Sequence, residues 1–261
     1  MNAFIYAAGR GNRMGKLVQE RNKVLFEFAG KSLLEWHVLR LKAVGAKRIF
    51  VVTGYQYAAT EAAISDLASR YQIEVIPIRN PDYEEGSLLS LALSLPDVEQ
   101  SRPFALLMDG DVLYDGQMLP RLLDSPEPTA LLIDRGFSAA DDDPVIVPVE
   151  NGRPFDLVKR WRGETTEVGE SIGFFKIAEA DIPALAAATR SRLVGEGRMD
   201  SYDEVFRDLV RDGLFGRVDV TGLPWVEIDF PWDVDFATHK VTPQILATDA
   251  EANQRKQTPV A

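Results

Sequence analysis

Residues 4 to 17, FIYAAGRGNRMGKL, carry an apolar run straight into a loop holding Gly9, Gly11 and Gly15 together with Arg10, Arg13 and Lys16. Backbone N–H groups of a glycine-rich turn can converge on phosphate oxygens, and nearby cations add charge-assisted bonds. Arg21 and Lys23 extend the basic stretch. Residues 10–24 hold five cations against one anion, Glu20, a net of +4 in a chain whose formal charge is −11. A focused cationic spot in an acidic protein suits a small polyanion, and the acidic balance elsewhere argues against a nucleic-acid surface. Two common nucleotide motifs do not fit. A dinucleotide fingerprint needs glycine where Met14 stands, and a P-loop needs Ser or Thr where Leu17 stands.

Carboxylates supply the second chemical theme. PFALLMDGD ends an apolar run on Asp109 and Asp111, two residues whose side chains share one side of an extended chain and can reach one cation. Acids just past a buried strand also serve as turn formers. Glu227 and Asp229 in VEIDF repeat the spacing, whereas Asp233 and Asp235 suit a helix start. Mg²⁺ asks for only a few carboxylates plus phosphate oxygens. Cysteine is absent, which removes disulfides, thiolate metal sites and thiol catalysis. The two histidines are His37, in an amphipathic helical pattern that suggests a packed structural role, and His239. That scarcity fits attack by a phosphate or phosphonate, which is already ionised near neutrality (second pKa ~6 for a phosphate ester) and needs no general base. Trp161, Tyr202, Trp225, Phe230 and Trp232 fall in the second half. Among them Trp161 and Tyr202, with Asp156, Glu170 or Glu227 as nearby acids, could hold an ammonium group by cation–π and ionic contact.

Those residues need a scaffold, and the apolar pattern describes one. AFIYAAG, RIFVVTG, IEVIPI and PFALLMDGD read as strands separated by the helical patterns KSLLEWHVLRLKAVGA, ATEAAISDLASRY and GSLLSLALSL. Strands apolar throughout and alternating with helices predict an α/β, Rossmann-like, mostly parallel mixed sheet covered on both faces. Ligands bind beyond the carboxyl ends of such strands. The glycine loop, Thr53-Gly54, Asn80 and Asp109–Asp111 all fall at such ends. After residue 128, TALLIDR, PVIVPVE, FDLVKRW and SIGFFKI predict a small antiparallel addition, followed by two helices and the late strands GRVDVTG and WVEIDF. The expected organisation is one domain over 1–245 and a mobile polar tail over 246–261. No signal peptide and no run approaching the roughly 18 apolar residues of a membrane span is evident, so a cytoplasmic protein is expected, with a homodimer admissible.

AAGRGNRMG followed by NKVLFEFAGKSLLEW resembles the N-terminal signature of the sugar-phosphate nucleotidylyltransferases and their MobA-like relatives. VVTGYQ, NPDYEEGSLLSLALSL, LLMDGDVLYD, ESIGFFKI and WVEIDFPWDVDFA follow in the family's order, over nearly the whole chain. The late segments look most like the phosphocholine and phosphonate cytidylyltransferase branch. The resemblance implies a nucleotidyltransferase fold and transfer of CMP from CTP, with Mg²⁺, to a small phosphate or phosphonate acceptor. It implies that Ala8, Gly9, Gly11, Asn12 and Arg13 hold the triphosphate and that Lys23 contacts its α-phosphate and the acceptor. Asn80 to Ser87, with Asp109, would serve the nucleotide, and Asp111 and Asp229 would hold the metal. Glu170, Trp161, Tyr202 and Glu227 would meet the acceptor. Asn22 stands where the sugar enzymes usually carry proline, and Ser32 replaces another proline as a helix cap. Rival readings are a sugar-1-phosphate or inositol-phosphate nucleotidylyltransferase and, further off, a metal-dependent glycosyltransferase, which gives no reason for the Arg13 and Lys23 pair.

Overall fold

The computed structural model describes residues 1–19, 21–137, 144–194 and 197–257. The chain begins with β1 (Asn2–Ala7), the hairpin β2 (Glu27–Phe28) and β3 (Lys31–Ser32), α1 (Leu33–Ala43), β4 (Arg48–Thr53) and α2 (Tyr57–Tyr71). Next come β5 (Glu74–Arg79), α3 (Leu88–Val98), β6 (Phe104–Asp109), β7 (Val112–Tyr114), α4 (Met118–Leu123) and β8 (Ala130–Asp134). The second half holds β9 (Ile146–Glu150), β10 (Arg153–Pro154), β11 (Glu167–Ala178), α5 (Ile182–Val194) and α6 (Tyr202–Arg211). It closes with β12 (Gly216–Asp219), β13 (Trp225–Glu227), α7 (Pro231–Phe236) and α8 (Thr242–Gln257).

Strands β5, β4, β1 and β6 lie side by side and parallel. The apolar runs of β1, β4 and β6 follow from burial on both faces, whereas β5 at the sheet edge is half-exposed: Ala3, Ile5 and Ala7 of β1 join one core, Phe4 and Tyr6 the other. Parallel order puts the residues after Ala7, Thr53, Arg79 and Asp109 at one edge, so the glycine loop and the DGD segment become neighbours. The antiparallel addition continues the same sheet: β11 pairs with β6, β8 and β9, and β12 runs parallel to β8. Among the described residues no helix is long and apolar enough to cross a membrane.

One local expectation fails. FDLVKRW is not a strand; its backbone pairs through an isolated bridge of Val158 with Ile146, by N···O distances of 2.6 and 2.9 Å, and through the Phe155 N–H on the Pro148 carbonyl at 3.1 Å. Asp156 in that segment is instead drawn to α6 by Arg207 and Arg211. The stretch expected to be a mobile tail is helical as far as Gln257. Arg40 of α1 makes a two-pronged pair with Asp249, at 2.8 and 2.6 Å, and Thr248 donates to the buried Asp115 carboxylate. Residues 258–261 lie outside the described residues.

Candidate active site

The loop after β1 turns through Gly11, whose φ of 67° is left-handed and favours glycine, into a short 3₁₀ segment, Asn12–Val18. Gly9 differs. Its φ is not in the left-handed region, and the position its side chain would take is open space, so nothing in the chain itself requires glycine there. Lys23 opens a second 3₁₀ turn, Lys23–Leu25, capped by Asn22. The buried Asn22 side chain accepts from the Val24 N–H at 3.0 Å and donates to the carbonyls of Ala7 and Tyr55 at 3.1 and 3.0 Å. The residue that departs from the sugar enzymes' pattern thus fastens the lysine-bearing turn to the end of β1.

The carboxylates meet through a small second sheet. β13 pairs antiparallel with β7, Glu227 opposite Val112, and the Ile228 N–H donates to the Asp111 carbonyl at 2.9 Å. Asp229 is held in turn by the start of α7: its N–H and that of Phe230 donate to the Asp233 carboxylate at 2.9 and 2.7 Å. The result brings one carboxylate oxygen each of Asp111, Glu227 and Asp229 within 4.8 Å of one another. Lys23 Nζ contacts the Asp111 carboxylate and lies 2.7 Å from Asp229 Oδ1, while Arg13 Nη1 lies 3.0 Å from Asp229 Oδ2.

These charges shift one another. Burial disfavours the Lys23 ammonium, but Asp111, Asp229 and Glu227 outweigh it and raise its pKa. Asp229 is likewise penalised by burial, yet Lys23 and Arg13 hold it below the ordinary carboxylate value. Glu227 still reaches solvent, but enclosure in the cleft, followed by repulsion from Asp111 and Asp229, pushes its carboxyl well upward. Asp109 is raised by burial first and Asp111 second, and its carboxylate accepts from the Tyr202 hydroxyl.

Two cavities share this centre. The first, of about 280 Å³, is lined by Ala8, Gly9, Gly11, Lys23, Ser87 and Asp111, with Tyr6, Tyr83 and Glu85 on its walls. The second, of about 150 Å³, is lined by Asp109, Asp111, Lys159, Ser171, Asp203 and Glu227 among others. Asp111, Ser87 and Tyr202 belong to both. Most residues expected at the nucleotide therefore converge. Arg13 lies beside them on Asp229, and Asn12 starts the 3₁₀ segment without lining either cavity. Asn80 does not line the cavity: it is buried, donates to Ser90 at 3.1 Å and accepts from the Asp82 N–H at 3.0 Å, so it pins the loop. Asp109 faces the second cavity rather than the first.

Of the residues expected at the acceptor, Tyr202 and Glu227 line the second cavity and Glu170 and Trp161 do not. Glu170 is buried within the sheet, paired in register with Asp134 of β8 and Ile146 of β9. Trp161 packs edge-on against Phe155 at 5.3 Å, and Gly163 leaves room for its ring. Asp156, the other acid considered for an ammonium, is bound by two arginines. Lys159 escaped the sequence reading because FDLVKRW has the alternation of a strand. Asp203 escaped because an acid in a first helical turn needs no other explanation.

The model of the MobA-like NTP transferase domain matches residues 3–196. The chain belongs to that family. Among the relatives of this MobA-like transferase is the CMP-5'-(3-aminopropyl)phosphonate synthase of Streptomyces rubellomurinus, 28% identical over 93% of this chain and 39% of that protein. Another is the bifunctional IPC transferase and DIPP synthase of Aquifex aeolicus, 27% identical over 90% of this chain and 50% of that protein. The chain thus spans half or less of the length of these two relatives. The fold is shared with the inositol-1-phosphate CTP transferase of T. maritima, at a TM-score of 0.75 and 21% identity, covering 94% of this chain and 95% of that one.

Proposed function

We propose that this MobA-like transferase is a cytidylyltransferase that moves CMP from CTP to a small phosphate or phosphonate and releases pyrophosphate. The observation that carries the reading is Lys23, which lines the first cavity and whose ammonium contacts Asp229 and Asp111, the latter shared by both cavities. The first cavity would take the nucleotide, where Gly9 leaves space for phosphate and Gly11 allows the turn. The second would take the acceptor. Lys23 and Arg13 would bear on the triphosphate and offset charge growing at the α-phosphorus. The acceptor oxygen is already ionised, so alignment in line with the leaving pyrophosphate replaces a general base. The donor set of Asp111, Glu227 and Asp229 is all oxygen and fits Mg²⁺, which would neutralise phosphate charge when bound. The cysteine-free composition agrees with a cytoplasmic setting.

For the acceptor, we favour a zwitterion of the aminoalkylphosphonate or phosphocholine type. The second cavity presents one lysine, Lys159, among the carboxylates Asp109, Asp203 and Glu227, a pattern that suits an anionic head and an ammonium tail. The Streptomyces relative is by its name a synthase of CMP-5'-(3-aminopropyl)phosphonate, which supports the same choice. The rival acceptor is inositol phosphate, supported by the name of the T. maritima structure.

The test measures pyrophosphate release with four nucleoside triphosphates against 2-aminoethylphosphonate, phosphocholine, glucose 1-phosphate and inositol phosphate. CTP with a zwitterion is expected to lead. Preference for either ring compound by more than about tenfold in kcat/KM, about 1.4 kcal/mol, would discard the zwitterion and leave nucleotidyl transfer standing. Lys159→Ala is expected to raise KM for the acceptor about tenfold with KM for CTP unchanged, since it removes one charge-assisted contact.

A further inference from the structure

Asp229 engages a different cation on each of its oxygens: Lys23 on Oδ1 at 2.7 Å and Arg13 on Oδ2 at 3.0 Å. Lys23 also contacts Asp111. Two of the three carboxylates that could hold a metal are therefore already neutralised by the chain's own side chains. From this we infer that Lys23 and Arg13 are place-holders for the metal, so that a divalent ion gains the Asp111, Glu227 and Asp229 centre only together with the triphosphate. The inference rests on the reading of that centre as the metal site.

Three carboxylates within 4.8 Å repel one another, and a trio left unpaired in a cleft is costly. Lys23 removes much of that cost without any ligand. Its side chain is only 14% exposed, and its backbone is fastened by Asn22 to the end of β1. If it leaves the acids it must find another anion within reach. The side chain runs beside Gly11, with its Cδ 3.5 Å from where a Cβ of that residue would lie, along the wall of the first cavity. A triphosphate in that cavity is the anion within reach.

A metal arriving alone must compete with the ammonium for the carboxylates and deprive it of them. Arriving with the triphosphate, it replaces the two cations on the acids while phosphate oxygens receive them. Exchange of partners in this way couples the two ligands, and the coupling is reciprocal. Arg13, with its side chain 46% exposed, can turn away more freely and contributes less to the block.

The experiment uses Mn²⁺ alone as the probe, with no nucleotide, and counts bound ion by electron paramagnetic resonance. Lys23→Met should bind Mn²⁺ at least about tenfold more tightly than the unmodified chain, and Arg13→Met about threefold more tightly. Adding Asp111→Asn to Lys23→Met should remove the gain. Arg13→Met lies at the rim and keeps the test decisive if Lys23→Met does not fold. Equal or weaker Mn²⁺ binding in the variants overturns the place-holder role and leaves the metal site intact. Absence of Mn²⁺ binding to every one of these proteins at millimolar concentration overturns the metal site, and the place-holders with it.

Discussion

Two ionic clusters in this molecule look alike by residue type and behave in opposite ways. Around Asp156, one carboxylate receives Arg207 Nε at 2.8 Å, Arg211 Nε at 3.0 Å and Nη2 at 2.9 Å, and the Leu157 N–H at 2.9 Å. Burial works against that charge, but the two arginines outweigh it and hold its pKa at about 2. Around Lys23, three carboxylates face two cations, and Glu227 is left with a raised pKa. The first cluster has its carboxylate satisfied by donors of its own chain and ties the 155–161 segment to α6. The second has like charges in excess at the mouth of two cavities, an arrangement the chain alone does not satisfy and a ligand can. Clusters of acids and bases are therefore told apart by the balance of charge at the site.

The contrast is broken most directly by activity. Asp111→Asn, Asp229→Asn and Lys23→Ala are each expected to lower kcat/KM by about 10²–10³ while circular dichroism stays native, the loss typical of one transition-state stabilising group. Asp156→Ala should leave kcat/KM within about threefold, since side chains away from the reacting atoms contribute little there. Should Asp156→Ala be as damaging as Lys23→Ala, the division of roles between the clusters fails.

Stability should invert the order. Asp156→Ala is expected to cost about 2 kcal/mol in urea unfolding, because two guanidinium groups lose a charge-assisted partner. The pH dependence follows from the lowered pKa. The Asp156 contribution is fully present above the unfolded aspartate value of about 3.9 and disappears as pH falls toward 2. The stability gap between the unmodified chain and Asp156→Ala should thus be constant near neutrality and close between pH 4 and pH 2. A gap that widens on acidification would contradict the ionised, doubly paired state.

Glu227 should show the opposite sign and the smallest effect. A carboxyl raised in the folded state is protonated in both states below about pH 4.3, and its cost appears as pH rises through the folded value. Glu227→Gln is therefore expected to raise Tm of the nucleotide-free protein by about 2 °C at neutral pH, with no gain below pH 4. Scanning calorimetry at two pH values checks it, and a Tm lowered at neutral pH would show that Glu227 is not in electrostatic excess.

The sequence alone determined the parallel core, the order of its helices and the position of the glycine loop and DGD at strand ends, because those features are local. An apolar run in extended conformation satisfies both its backbone and its side chains inside a sheet covered on both faces. The resemblance carried by the ordered segments also singled out Lys23, Asp111 and Asp229, which the fold brings into contact. Tertiary structure decided the rest. Pairing of β13 with β7 made Glu227 a third carboxylate of the centre, and α6 turned Asp203 and Tyr202 toward the second cavity. The failure of FDLVKRW to form a strand put Lys159 there, and contacts from Arg40 and Asp115 held as helix a stretch whose composition reads as a tail. The physical reason is common to all of these. Which acid finds a cation, and which segment finds a partner, depends on neighbours distant in the chain, and no local pattern of residues encodes that distance.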